Sequence, residues 1–182
     1  ELLKSLTEKF GVSGNEEEIR DFIKSKIKKH VDDIEIDALG NLIATKKGKG
    51  KRIMVAAHMD EIGIMATHID DKGFIRFSNI GWVSANYALG QRVMFKNGTV
   101  GTVFYEEQLE DLKGLKLSNM YIDIGAKDKE DAQKKVRIGD TAAFCGETQK
   151  SGDMVISKAL DDRSGCAVLI KTIENLPKTD NE

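Results

Sequence analysis

The feature that most constrains this chain is a change of hydrophobic period that happens twice. Residues 13–31, SGNEEEIRDFIKSKIKKHV, place Ile19, Phe22, Ile23 and Ile27 at helical spacing. Near the other end, DDRSGCAVLIKTIENLP does the same with Cys166, Leu169, Ile170, Ile173 and Leu176, and Pro177 closes the pattern. Between these helices, from about Ile64 to Val155, the texture is short strand-like runs: GFIRFSNI, QRVMF, GTVFYEE, MYIDIG and DTAAFCG. Glycines and the hairpin signal Asn97-Gly98 separate them. One period cannot serve both parts. The expected fold is therefore an α/β module, residues 1–64 and 156–182, interrupted by a small all-β, barrel-like module over residues 65–155.

Finer expectations follow from the same patterns. Ser13 with Glu16 three residues on reads as a capping box opening the first long helix. IEIDALGNLIATKK and KRIMVAAHM read as at least three strands, the last ending at His58. KDKEDAQKKV, residues 127–136, reads as a surface helix with too little apolar face to join a core. The closing KTDNE is turn-like where an alternating α/β layer would place its next strand, so the α/β sandwich reads as incomplete in this chain.

Composition limits the partners. With 40% hydrophobic residues in 182, the chain can bury one good core or two small ones. Lys plus Arg number 28 against 30 for Asp plus Glu, so a nucleic-acid partner is not expected. The basic run KKGKGKR is explained by a solvated hairpin turn. No apolar run approaches the roughly 20 residues of a membrane span, and no membrane partner is expected. Two cysteines without paired spacing suit a reducing cytoplasm.

Two stretches could carry chemistry. In AAHMDEIG, residues 56–63, His58 and Asp60 share one face of the expected strand while Met59 and Glu61 share the other. A metal-binding imidazole usually donates its second N–H to a carboxylate, which His-x-Asp allows. Taken alone, a polar strand end explains the pattern more simply. In KALDDRSG, residues 158–165, Asp161, Asp162 and Arg163 stand at an expected helix start. Helix capping accounts for the carboxylates; a metal-bridging carboxylate accounts for them too. His30 and His68 fit no ligand spacing and read as surface or structural residues.

In order and spacing, GVSGNEEEIRDFI, DALGNLIA, AAHMDEIG, GFIRF followed by IGW, and SKALDDRSGCAVLI resemble the M42 family of dinuclear-metal aminopeptidases. The resemblance runs over essentially the whole chain. It implies a peptidase-type α/β domain interrupted by a β-rich domain that serves self-association into homo-oligomers. It implies two divalent ions, zinc or cobalt, with His58 a ligand to one and Asp161 bridging both. Asp60 would orient His58; Asp162 and Arg163 would support from behind; Glu61 receives no role. The substrate class implied is peptides with a free N-terminus, cleaved by a water activated between the ions. The resemblance further implies a cis bond between Asp161 and Asp162. The family's Glu-Glu pair, which holds the general base, and its later Asp and His ligands match nothing in residues 1–182. These residues alone are therefore expected to be inactive. Two alternatives stand beside this reading: a non-catalytic assembly or binding module, and a glycoside hydrolase. The last needs two carboxyl groups about 5–9.5 Å apart in a sugar cleft, and aromatics at 6% of residues offer little to line one.

Overall fold

The computed structural model describes residues 1–106 and 114–177. It opens with helices α1 (Leu2–Thr7) and α2 (Glu17–Ile27) and the strands β1 (Asp33–Ile36) and β2 (Leu42–Thr45). β3 (Gly63–Ile69), β4 (Ile75–Ile80), α3 (Ala85–Ala88), β5 (Arg92–Phe95) and β6 (Val100–Tyr105) follow. After a 3-10 turn at Leu117–Asn119 come β7 (Met120–Asp123), α4 (Lys129–Lys135), β8 (Thr141–Phe144), β9 (Gln149–Ser151), β10 (Met154–Ile156) and α5 (Leu160–Asn175). Two compact units result: Glu1–Asp60 with Glu147–Glu182, and Glu61–Gly146. Glu107, which ends the expected run GTVFYEE, and the tail Lys178 to Glu182 lie outside the described residues.

The interrupting unit begins and ends earlier than the expected 65–155. β9 and β10 pair only with each other, as an antiparallel hairpin. The hairpin's foot is tied to α1: Thr148 donates its N–H to Glu8 Oε1 at 2.8 Å. Its hydroxyl lies 2.8 Å from both Thr7 Oγ1 and Ser157 Oγ. Those bonds assign the hairpin to the helical unit.

In the helical unit, Ile19, Ile23 and Ile27 of α2 are buried against Leu6, Cys166 and Ile170. Phe22 is only partly buried, its ring facing the ammonium groups of Lys9 and Lys26. Along α5 the inward stripe is Arg163, Cys166, Ile170 and Ile173, while Leu176 is exposed. The expected strand over KRIMVAAHM does not form a ladder: no strand is assigned to residues 51–60. Ile53, Met54 and Val55 are 66%, 92% and 66% exposed. An apolar run becomes a buried strand only where neighbours pair with it, and none of the described residues does so here. Ala57 and Met59, farther along, do pack on the helical core.

The second unit is a closed six-stranded barrel in the order β3-β4-β7-β6-β5-β8, every neighbouring pair antiparallel. Alternate residues fill it: Ile64 and Ala66 of β3, Ile75 and Phe77 of β4, Val93 and Phe95 of β5. The Asn97-Gly98 signal forms the expected turn between β5 and β6, with Gly98 at φ +88°. α4 corrects the reading of residues 127–136 as purely surface. Asp128 caps it by accepting the Asp131 N–H, and Ala132 with Val136 lies wholly buried in the barrel core. Two small side chains four residues apart suffice to seat so short a helix.

Gly101 of β6 marks a close approach. A Cβ there would meet the Ile122 side chain, Ile124 Cγ2 at 2.9 Å and the Asp123 carbonyl at 3.0 Å. Gly101→Ala is expected to destabilise the barrel by about 1–3 kcal/mol through overpacking. Thermal unfolding would check this, an unchanged midpoint contradicting it.

Candidate metal centre

The site begins with how α5 starts. Ala159 adopts a left-handed φ of +52°, the Asp161–Asp162 bond is cis, and both aspartates have non-helical dihedrals. Regular helix therefore begins after them. Asp162 turns inward and caps that helix, accepting the Gly165 N–H at 3.0 Å. Gly165 is required for this, because a Cβ there would fall on the Asp162 carboxylate. Asp161 points the other way, its side chain 96% exposed.

Arg163, wholly buried, donates from Nη1 to the carbonyls of Leu6 (2.9 Å), Thr7 (3.3 Å) and Lys9 (2.6 Å). Nη2 reaches the Gly11 carbonyl at 3.4 Å and Nε the Met59 carbonyl at 3.0 Å. The first two acceptors are at the C-terminal end of α1, where the Leu6 carbonyl also takes the Lys9 N–H at 3.3 Å. Gly11 leaves room for the guanidinium: a Cβ there would lie 2.7 Å from Nη2 and 2.6 Å from Ile19 Cγ2. Met59 stands between His58 and Asp60, so α5 holds that segment directly. Below it the Cys166 thiol, its pKa pushed up to about 11 by burial and then by the Asp162 charge, stays protonated. It donates to the His58 carbonyl at 3.3 Å.

On this base His58 is held between two carboxylates. Nδ1 lies 3.0 Å from Asp60 Oδ1 and Nε2 lies 3.1 Å from Asp161 Oδ1, across 103 positions of sequence. Burial, the largest influence, pulls the imidazole pKa down; the hydrogen bonds and charges of Asp161 and Asp60 outweigh it and hold the pKa above its ordinary value. The second oxygen of Asp60 accepts a hydrogen bond from the Ser13 hydroxyl. Ser13 is thus not the helix cap expected of it. Gly14, at φ +85°, puts a turn before the helix, closed by Asn15 N–H to the Val12 carbonyl at 2.7 Å. The N-cap position falls to Glu16, whose carboxylate accepts the Gly14 N–H at 2.6 Å.

Two donor atoms 3.1 Å apart can both lie about 2.0–2.2 Å from one ion, so Nε2 and Oδ1 suit a shared metal. Among the described residues no three His, Cys, Asp or Glu side chains gather closely enough to hold one. The other candidates fall elsewhere. Glu61 is buried in the barrel unit, where its charge helps raise the Tyr87 pKa, after burial. His68 lies on β3 opposite Arg76, and His30 is exposed beyond the end of α2.

The chain belongs to the M42 glutamyl aminopeptidase family, whose model matches residues 40–182. A protein of Acetivibrio thermocellus, provisionally named an aminopeptidase, is 65% identical over 182 residues, all of this chain and 55% of its own. An aminopeptidase of the archaeon Desulfurococcus kamchatkensis superposes with a TM-score of 0.91 at 39% identity, over 99% of this chain and 52% of its own. The TET1 peptidase of Pyrococcus horikoshii, described as assembling into a tetrahedron or a large octahedral shell, gives 0.85 at 37% identity. That match covers 96% of this chain and 55% of the peptidase. The chain thus spans about half the length of the relatives it matches. Among the described residues no helix is long and apolar enough to cross a membrane.

Arg163→Met is expected to destabilise the helical unit by about 3 kcal/mol or more, since it strips the charged donor from several buried carbonyls. Arg163→Lys should recover only part, because one ammonium cannot span the fork. Chemical denaturation measures both; wild-type stability in the methionine variant would overturn the assignment.

Proposed function

We propose that this chain carries one part of a two-metal aminopeptidase site. His58 serves as ligand to one ion, Asp161 as the carboxylate shared by both, and Asp60 as the group that orients His58. The observation that carries the reading is the approach of His58 Nε2 to Asp161 Oδ1 at 3.1 Å. When bound, the two divalent ions, zinc or cobalt, would lower the pKa of a water and polarise the scissile carbonyl.

The work of this chain's own residues follows from their geometry. Asp60 accepts the Nδ1–H of His58 and so fixes the tautomer that leaves Nε2 with its lone pair outward. Arg163 and Cys166 hold the two backbone carbonyls that follow that ring's attachment, at Met59 and His58. Asp162 fastens the helix start behind Asp161. A zinc site takes three or four protein ligands. The remaining ligands and the glutamate that acts as general base are proposed to come from sequence outside residues 1–182, consistent with the half-length match to relatives.

The substrates in this reading are peptides with a free N-terminus, and the barrel unit, expected over 65–155 from sequence, serves self-association. Support for the second point is the shell described for the P. horikoshii peptidase. Two cysteines without paired spacing suit the cytoplasm.

The test uses full-length protein stripped with chelator and reloaded with zinc or cobalt. Aminoacyl p-nitroanilides should turn over, N-acetylated ones should not, and carboxymethylcellulose should remain intact. His58→Ala and Asp161→Ala should each lower kcat/KM by about 100-fold or more. Turnover that survives chelation, or cleavage of the blocked substrates, would overturn the reading.

A further inference from the structure

We propose that Ser13 is a positioning residue of this site. Its hydroxyl fixes the carboxylate of Asp60 and, through it, the imidazole of His58. The inference rests on the reading of His58 as a metal ligand and extends it by one residue.

Among the described residues the Ser13 hydroxyl bonds to Asp60 and has no other task. The turn that contains Ser13 is closed by main-chain atoms, from Asn15 N–H to the Val12 carbonyl, and is permitted by Gly14 at φ +85°. Glu16 takes the N-cap position and satisfies the Gly14 N–H. Neither feature uses the serine side chain, which reaches 47 positions along the sequence to Asp60 Oδ2.

An ionised carboxylate is acceptor-only and free to turn about its terminal torsion. With His58 Nδ1 on Oδ1 alone, its plane would be set by one contact. The serine supplies a second on Oδ2, and two contacts on opposite oxygens fix the plane. The approach is preset by Arg163, which binds the Gly11 carbonyl just before the turn and the Met59 carbonyl just before Asp60. One buried cation therefore sets the spacing between donor and acceptor. Ser13 then sets the carboxylate's angle, Asp60 the imidazole's, and Nε2 faces Asp161.

In the full-length protein, Ser13→Ala should raise the dissociation constant for zinc, read by chelator competition, by about 3- to 10-fold. That is below the 10- to 100-fold typical of removing a direct partner of a ligand. It should lower kcat and leave KM nearly unchanged, while the unfolding midpoint of the metal-free protein stays within about 2 °C. Ser13→Thr, which keeps the hydroxyl, should restore most of the affinity. In an Asp60→Ala background, Ser13→Ala should have no further effect. Unchanged zinc affinity in Ser13→Ala, an equal loss in Ser13→Thr, or a full effect without Asp60 would each overturn the inference while leaving the metal reading intact. If instead the wild-type protein takes up no divalent ion, or His58→Ala leaves uptake unchanged, the metal reading itself fails and the inference falls with it.

Discussion

One buried cation organises the helical unit. The guanidinium of Arg163 is enclosed and collects carbonyls from α1, from the segment after it, and from Met59. A buried charge is costly unless its donors are matched, and a planar fork of five N–H groups can match several carbonyls at once. The pairing works in both directions. The carbonyl of Thr7, at the end of α1, gains a partner, and that of Leu6 gains a charged donor beside the Lys9 N–H. The segment carrying His58 and Asp60 gains a fixed height above α5. Gly11 and Ile19 then fit only as they do, because the guanidinium occupies the space a larger residue would need.

The adjacent aspartates show how backbone conformation divides labour between chemically identical side chains. Asp162 is turned under the helix, where free N–H groups welcome a carboxylate, and it caps Gly165. Asp161, one residue earlier and not yet helical, is left facing His58 and solvent. The departure from helical dihedrals makes one of them structural and frees the other.

Much of the fold was legible because it is written locally. The helical stripes of α2 and α5, the Asn97-Gly98 hairpin and the run of short strands depend on neighbours within a few positions. What the sequence could not display is who pairs with whom at long range. Residues 51–60 have the apolar content of a strand but join no ladder among the described residues, so they do not form one. Ala132 and Val136 are too small to announce a core face, yet a narrow barrel needs only that much filling. From spacing alone His58 and Asp60 read more simply as a polar strand end; the role expected of them, like that of Asp161, rests on the family's motif order. Ser13 was misread as a cap because its pattern matched a capping box, and only the turn at Gly14 removes it from the helix.

The two donors that face each other are unequally prepared. His58 is fixed through its ring by Asp60, through its carbonyl by Cys166 and through the next carbonyl by Arg163. Asp161 has a set backbone, but its side chain is nearly all in water, and among the described residues it meets His58. Ordering a short exposed side chain costs a fraction of a kcal/mol up to about 1 kcal/mol, which binding to a cation would readily offset. A rigid imidazole facing a freer carboxylate therefore suits a site in which one donor defines position and the other adjusts to it. That asymmetry follows from the chain itself: the histidine arrives on a segment stapled from three sides, the aspartate on the last turn before a helix begins.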